Sequence, residues 1–228
     1  MAQVIVLVSG GIDSCVLCSM AAQEDQLALL HVDYHQRARE KERNAFEKLC
    51  LAFKPKHRLI AELPYFEQLG GCALVDRKQS VEAFTELGTT QLPRTYLPFG
   101  LPAFWSVAAA WAQVIGAQRI YCGGAKDYDV QLPAYAKLEP AIDGEAVQAF
   151  NYLLQKVVRP GQKIDFQMPF YNLTRAEILK LANQLSTPLE LTWSCLEGGA
   201  NPCQQCYRCL VRRNGFRSAS MIDPVRES

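Results

Sequence analysis

The sequence predicts an α/β protein in which a doubly wound parallel sheet carries a small cysteine-rich tail. Three observations predict it. Short apolar runs rich in β-branched residues, at 4–8, 27–33, 57–62 and 118–122, alternate with stretches of helical apolar periodicity. The first run enters a helix through two glycines, Gly10 and Gly11. Four of the nine cysteines crowd into positions 195–209.

A chain of 228 residues suits one large domain, or one domain with a small appendage. We divide it into a nucleotide-type domain over 1–186 and a metal-binding segment over 187–228. Apolar residues make up 49%, enough to bury a full core, and the formal net charge is +1. That charge gives no whole-chain field to draw in nucleic acid or an acidic membrane. No apolar run approaches the ~20 residues that span a bilayer. No basic leader precedes an apolar stretch, so the expected location is the cytoplasm.

The elements follow in order. Val4-Ile-Val-Leu-Val8 reads as a strand buried on both faces, and a helix begins at Ile12 and continues through Val16, Leu17 and Met20. Residues 27–33 read as a second buried strand with a polar end, and a charged helix follows with Ala45, Phe46, Leu49 and Phe53 on one face. A third strand fits 57–62, and 63–94 reads as an irregular insertion. After a proline turn at 97–102, a helix over 103–115 is apolar all round, too apolar for a surface element. Residues 118–124 give a fourth strand closing on Gly123-Gly124, and 125–145 read as a loop over the site. Helical periodicity returns over 145–157, and 164–168 fits a short strand. Thr174-Arg-Ala-Glu177 is a capping box, with Ile178, Leu181, Ala182 and Leu185 on one helical face behind it.

The Ser9–Ser14 stretch carries the first candidate chemistry. A strand that enters a helix through glycines leaves backbone N–H donors at the positive end of the helix dipole, where an anion is favoured. Gly10 and Gly11 let the main chain approach a phosphate, Ser9 and Ser14 add donors, and Asp13 can hold a Mg²⁺ bridging phosphate oxygens. A bare Ser-Gly-Gly also serves ordinary tight turns. Its place after the first strand of an α/β sheet favours phosphate, because ligands in such sheets bind beyond the strands' carboxyl ends. The same rule gathers His31, Asp33, Gln36, Arg37, Gly123 and Lys126 around one pocket. Lys126 and Asp127 also read as ordinary solvated loop residues.

Cys195, Cys203, Cys206 and Cys209 supply four thiolates for one tetrahedral centre, and closed four-cysteine sites hold structural zinc. An iron–sulfur cluster uses the same ligands, and a redox Cys-x-x-Cys would leave two cysteines idle. The remaining cysteines lie in apolar segments and read as small buried hydrophobes. Downstream, Arg208, Arg212, Arg213, Arg217 and Arg226 face only Asp223 and Glu227. They read either as a basic ribbon for RNA phosphates or as a solvated face with internal ion pairs.

Ser9-Gly-Gly-Ile-Asp-Ser14 resembles the pyrophosphate loop of the N-type ATP pyrophosphatases, which cleave ATP between the α and β phosphates. With the rest of the chain it resembles the 7-cyano-7-deazaguanine synthase (QueC) family. The likeness includes His31-x-x-Tyr34-x-Gln36-Arg37-x-x-Glu40, Pro98, Ile120-x-x-Gly123 and Pro169-x-x-x-Leu-Thr-Arg-Ala-Glu177. Its most specific part is Thr192-x-Ser-Cys195 with the three later cysteines, Arg212 and Gly215-Phe216. The resemblance implies a zinc-containing homodimer that adenylates 7-carboxy-7-deazaguanine with ATP, forms an amide with ammonia, and uses a second ATP to reach the nitrile. Ser9, Gly10, Gly11, Asp13 and Ser14 would hold pyrophosphate and Mg²⁺, and Arg175 would offset charge on the adenylate.

Three stretches depart from the family pattern, and one is Thr174-Arg-Ala-Glu177, where members carry Thr-Lys-Ala-Glu. Pro98-Phe-Gly-Leu-Pro102 stands where members carry Pro-Gly-Arg-Asn. Leu132-Pro-Ala-Tyr-Ala136 stands where they carry Tyr-Pro-Asp-Cys-Arg, which helps bind the substrate. Divergent members in bacterial antiphage systems join a deazaguanine to a protein amine, and this chain resembles that group. Two other readings stay open: a tRNA-thiolating enzyme, which needs a cysteine pair at the pocket, and a degenerate nucleotide-binding scaffold that docks a protein partner.

Overall fold

Val4, Ile5 and Val6 have no exposed surface, because β1 (Gln3–Leu7) is the central strand of a five-stranded sheet covered on both faces. The computed structural model describes residues 2–23, 26–86, 92–125 and 144–225. The other strands are β2 (Gln26–Asp33), β3 (His57–Glu62), β4 (Arg119–Tyr121) and β5 (Asp165–Gln167). They lie in the order β3-β2-β1-β4-β5, and every pairing is parallel. The chain therefore leaves β1 in one direction for β2 and β3, then returns to β1's other side for β4. That reversal makes the β1–β4 boundary the switch point where ligands bind in such sheets.

Alternate β1 side chains separate two cores. Val4 and Val6 pack with α1 (Ile12–Ala21), α2 (Arg39–Phe53), α6 (Arg175–Gln184) and α7 (Tyr207–Ser218). Ile5 faces α4 (Gly100–Ile115) and α5 (Gly144–Val157), where Trp105 packs on Phe150 and Phe166 at centroid distances of 5.4 and 4.6 Å. The second face completes the doubly wound arrangement. A short helix, α3 (Tyr65–Leu69), and a 3-10 turn (Phe84–Glu86) order part of the 63–94 insertion, where Phe66, Cys72 and Val75 form a third small cluster. Cys15, Cys18, Cys50, Cys72 and Cys122 are all buried and free.

The long apolar helix differs from expectation in two respects. It starts at Gly100 rather than 103, with Pro102 in the first turn, where a missing N–H is not needed. It also has an outer face: Trp105, Ala108 and Ala112 press on the sheet, while Val114 is 77% exposed. Alanines narrow the inward stripe, so the helix needs only one side covered. No helix among the described residues is long and apolar enough to cross a membrane.

Candidate active site and thiolate centre

The Ser9–Ser14 turn is built by close approach. Gly10 has φ +83°, and a Cβ there would stand 3.1 Å from the Ala45 Cβ of α2. Gly11 caps α1 with no side-chain hydrogen bond, so the first-turn N–H groups of this helix remain available to a ligand. The Ser9 hydroxyl accepts the Gly11 N–H at 3.3 Å, and the Ser14 hydroxyl donates to the Gly11 carbonyl at 3.0 Å. From β4's end, Gly123 presses on α1 so closely that a Cβ would lie 2.9 Å from the Asp13 Cβ. Only glycine lets the two sides of the switch point meet.

Above the turn lies a cavity lined by the polar side chains of Ser9, Asp13, Ser14, Arg175, Arg208 and Arg212 and by the apolar ones of Leu74, Leu101, Phe104 and Leu196. Arg175 opens α6 behind the capping box, in which Thr174 Oγ1 accepts the Glu177 N–H at 3.3 Å and Glu177 accepts the Thr174 N–H at 2.7 Å. The box aims the buried Arg175 guanidinium at the Asp13 carboxylate, its ion-pair partner. Burial, then the charges of Arg208 and Arg212, push the Arg175 guanidinium down from its ordinary value. Asp13 balances Arg175 and Asp223 balances Arg212, so the arginines stand as fixed, oriented donors on one cavity wall. An inorganic or nucleotide phosphate is the anion that this set of donors suits.

The structure brings Ser9, Gly11, Asp13, Ser14, Gly123 and Arg175 to the cavity, with Gly10 beneath the turn. It does not bring His31, Gln36 or Arg37 there. The His31 Nδ1–H donates to the Val8 carbonyl at 2.8 Å and the ring stacks on Phe46, so burial lowers its pKa and keeps it neutral. Arg37 donates to the carbonyls of Ala73, Asp76 and Gln79 and pairs with Glu197, tying the insertion to the cysteine segment. Asp33 is fully buried between Arg39 (2.7 Å) and Arg43 (3.2 Å). Gln36 is buried and hydrogen-bonds Glu42, which does line the cavity. Lys126, Asp127 and the 132–136 stretch lie outside the described residues.

Sequence reasoning missed Glu42. Of its readings for the arginine cluster, a solvated face with internal ion pairs or an RNA surface, the ion pair is found at Arg212, while Arg208 and Arg212 also line the cavity. Arg212 is buried and holds Asp223 through two hydrogen bonds of 2.7 and 2.8 Å. Cys122 is the lone cysteine among the described lining residues, and burial pushes its thiol up to about 11. It offers neither a thiolate nor the paired cysteine that a thiolation reaction needs.

The other four cysteines do converge. Their sulfur atoms all lie within 4.8 Å of one another, and Cys203 and Cys209 Sγ are 4.0 Å apart. A disulfide requires about 2.05 Å. A tetrahedral ion with bonds of about 2.3 Å separates its sulfur ligands by about 3.8 Å, which fits. An iron–sulfur cluster spreads its four cysteines over two or four irons, so all four sulfurs do not surround one centre as they do here. Cys206 caps α7 and Cys209 sits in its first turn, while the Cys203 and Cys206 N–H groups donate to Cys195 and Cys203 sulfurs at 3.2 and 3.3 Å. The S–H groups of Cys206 and Cys209 hold Cys195 well below its ordinary value, concentrating negative charge there.

A parallel doubly wound sheet with an uncapped helix N-terminus at its switch point defines a nucleotide-binding type of α/β protein. The sequence profile of "Queuosine biosynthesis protein QueC" matches residues 3–220. The chain belongs to the QueC family, whose members are enzymes of the ATP-dependent ligase type. It is 34% identical over 227 residues to the 7-cyano-7-deazaguanine synthase of Campylobacter curvus, covering 99% of this chain and 98% of that one. It is 33% identical over 222 residues to the protein of that name from Chlorobaculum tepidum, covering 97% and 94%.

Proposed function

We propose that the chain activates a carboxylate with ATP, releases pyrophosphate, and passes the acyl group of the resulting adenylate to a nitrogen nucleophile. The observation that carries this reading is the convergence of an uncapped helix N-terminus, two serines and buried arginines on one cavity at the switch point. Donors aimed at the charge developing on the departing pyrophosphate stabilise the transition state. Ser9, Gly10, Gly11 and Ser14 grip the phosphates, and Arg175 offsets charge on the α-phosphate. Asp13 lines the cavity and supplies the carboxylate that a Mg²⁺ requires; that ion would neutralise phosphate charge when bound. The names of the relatives support 7-carboxy-7-deazaguanine or a related deazapurine as the acyl substrate, and the apolar part of the lining suits a flat ring.

The acceptor is ammonia or a protein amine, giving an amide; a further ATP would carry the amide to the nitrile. Leu101 lines the cavity within the stretch where members carry Arg and Asn, which supports an altered acceptor of the antiphage kind. Zinc at Cys195, Cys203, Cys206 and Cys209 would hold the 187–228 segment in place and take no part in the reaction, since four thiolates leave no open position. A cytoplasmic homodimer completes the reading, supported by exposed Val114 on α4 and Val157 on α5, two helices of one face. The test is release of AMP and pyrophosphate with and without 7-carboxy-7-deazaguanine, followed by mass analysis of the product. Asp13→Ala should slow release by roughly 100-fold. An Asp13→Ala protein at full rate removes the phosphate-site assignment, and a wild type that releases no AMP leaves the scaffold reading.

A further inference from the structure

We propose that Glu42 is the base that takes a proton from the attacking nitrogen, an assignment that rests on the acyl-transfer reading above. Its position comes first. α2 packs so tightly on the phosphate turn that a Cβ at Gly10 would lie 3.4 Å from the Glu42 carbonyl oxygen and 3.5 Å from its Cα. From there the side chain lines the cavity together with Tyr34 and Arg208. Glu42 thus lines the same cavity as Ser9, Asp13 and Ser14 of the turn, where the adenylate's phosphate would rest.

Its orientation is held from behind. Gln36 Nε2 donates to Glu42 Oε2 at 2.6 Å, while Gln36 Oε1 accepts the Tyr34 N–H at 2.9 Å. A backbone N–H can only donate, so the second contact fixes which end of the amide faces Glu42. The charged groups facing the carboxyl are Arg208 from α7 and Asp33 from the end of β2, with the Tyr34 phenol nearby. Burial outweighs Gln36's donor and Arg208's charge and pushes Glu42 up to about 7. A carboxyl poised there can accept and release a proton at neutral pH.

The other candidates on this wall are committed. Asp13 is paired with Arg175, burial raises the Tyr34 phenol, and Cys122 stays a thiol. An amine near pH 7 is largely protonated and lacks a lone pair for attack. Glu42 removes one proton. The freed lone pair forms the C–N bond at the acyl carbon, and the acyl C–O bond to AMP breaks with its electron pair left on the phosphate oxygen. The second proton leaves the nitrogen for solvent as the amide forms.

Glu42→Gln tests this in two half-reactions. Adenylate formation is read as ATP–pyrophosphate exchange dependent on 7-carboxy-7-deazaguanine, and amide formation is followed with ammonia and with hydroxylamine, which is already unprotonated at neutral pH. The expected result is exchange near the wild-type rate and ammonia-dependent amide formation lowered roughly 100-fold. The inflection near 7 in the wild-type pH profile should be lost, leaving the ammonia-dependent rate to follow free ammonia, and hydroxylamine should restore turnover. Unchanged ammonia-dependent turnover, or exchange lost in parallel with it, overturns the assignment; the latter would place Glu42 in ATP binding. A wild type without exchange fails the acyl-transfer reading itself.

Discussion

Replacing Gly10 with alanine adds one methyl group at the point where the phosphate turn meets α2. Two costs follow. Residue 10 has φ +83°, and a left-handed backbone costs an L-residue about 1–2 kcal/mol. The methyl would also stand 3.1 Å from Ala45 Cβ, well inside the ~3.5–4.0 Å of favourable carbon contact. α2 cannot retreat easily, because Phe46 and Leu49 anchor it with no exposed surface. Overpacking of that kind adds about 1–3 kcal/mol. The sum of about 2–5 kcal/mol corresponds to a melting temperature lower by roughly 5–15 °C in a protein of this size. The assay is urea and thermal unfolding of Gly10→Ala, Ala45→Gly and the double variant. Ala45→Gly alone costs about 1 kcal/mol in a helix, yet it removes the methyl that Gly10→Ala would strike. The double variant should therefore be more stable than the summed singles by about 1–2 kcal/mol, with the backbone cost remaining. Strict additivity would refute the steric reasoning and leave only the φ strain.

The remaining predictions concern the carboxyl-terminal segment. Cys209→Ser should lower bound zinc from about one ion per chain and reduce the unfolding midpoint, as chelation of the wild type should also do; a variant that keeps its full zinc rejects a four-thiolate site. Arg212→Ala should cost about 3–5 kcal/mol, because it strands Asp223 and breaks donors to Thr192 (2.8 Å) and Ser194 (3.2 Å). Proteolysis beyond Ser218 should quicken in that variant, and an unmoved unfolding midpoint would show the network to be idle. Arg212→Lys should recover part of the loss only, since an ammonium cannot reproduce the two-pronged contact with Asp223.

Much of the fold was legible because its signals are local. The β1 run, the Gly10-Gly11 turn and the Thr174 capping box each declare themselves within a few residues. The cysteine window is equally local, and its four sulfurs meet as their spacing predicts. Other features depend on distant segments. Glu42 sits in Arg39-Glu-Lys-Glu-Arg43, which reads like any solvated helical face. It becomes a cavity residue because α7, more than 150 positions away, brings Arg208 opposite it. Arg208 was opaque for the same reason: Cys206 and Cys209 set the start of α7, and that placement turns the arginine inward. His31 and Arg37 misled in the opposite sense. Polar residues after a strand suit a pocket rim, but here the Val8 carbonyl takes the His31 Nδ1–H, and backbone carbonyls with Glu197 take Arg37.

The turn at the amino end is closed by chain from the far end. The Trp193 N–H donates to the Gly10 carbonyl at 2.8 Å, and Arg175 leans on α7 so tightly that a Cβ at Gly215 would overlap it. Synthesis runs in one direction, so a ribosome delivers Gly10 long before Trp193, Arg208 or Gly215 exists. Until α7 emerges, the nascent polypeptide has the Gly10-Gly11 turn with no wall behind it. Fragments that stop short of α7 would lack both the Trp193 bond and the Gly215 contact that close it.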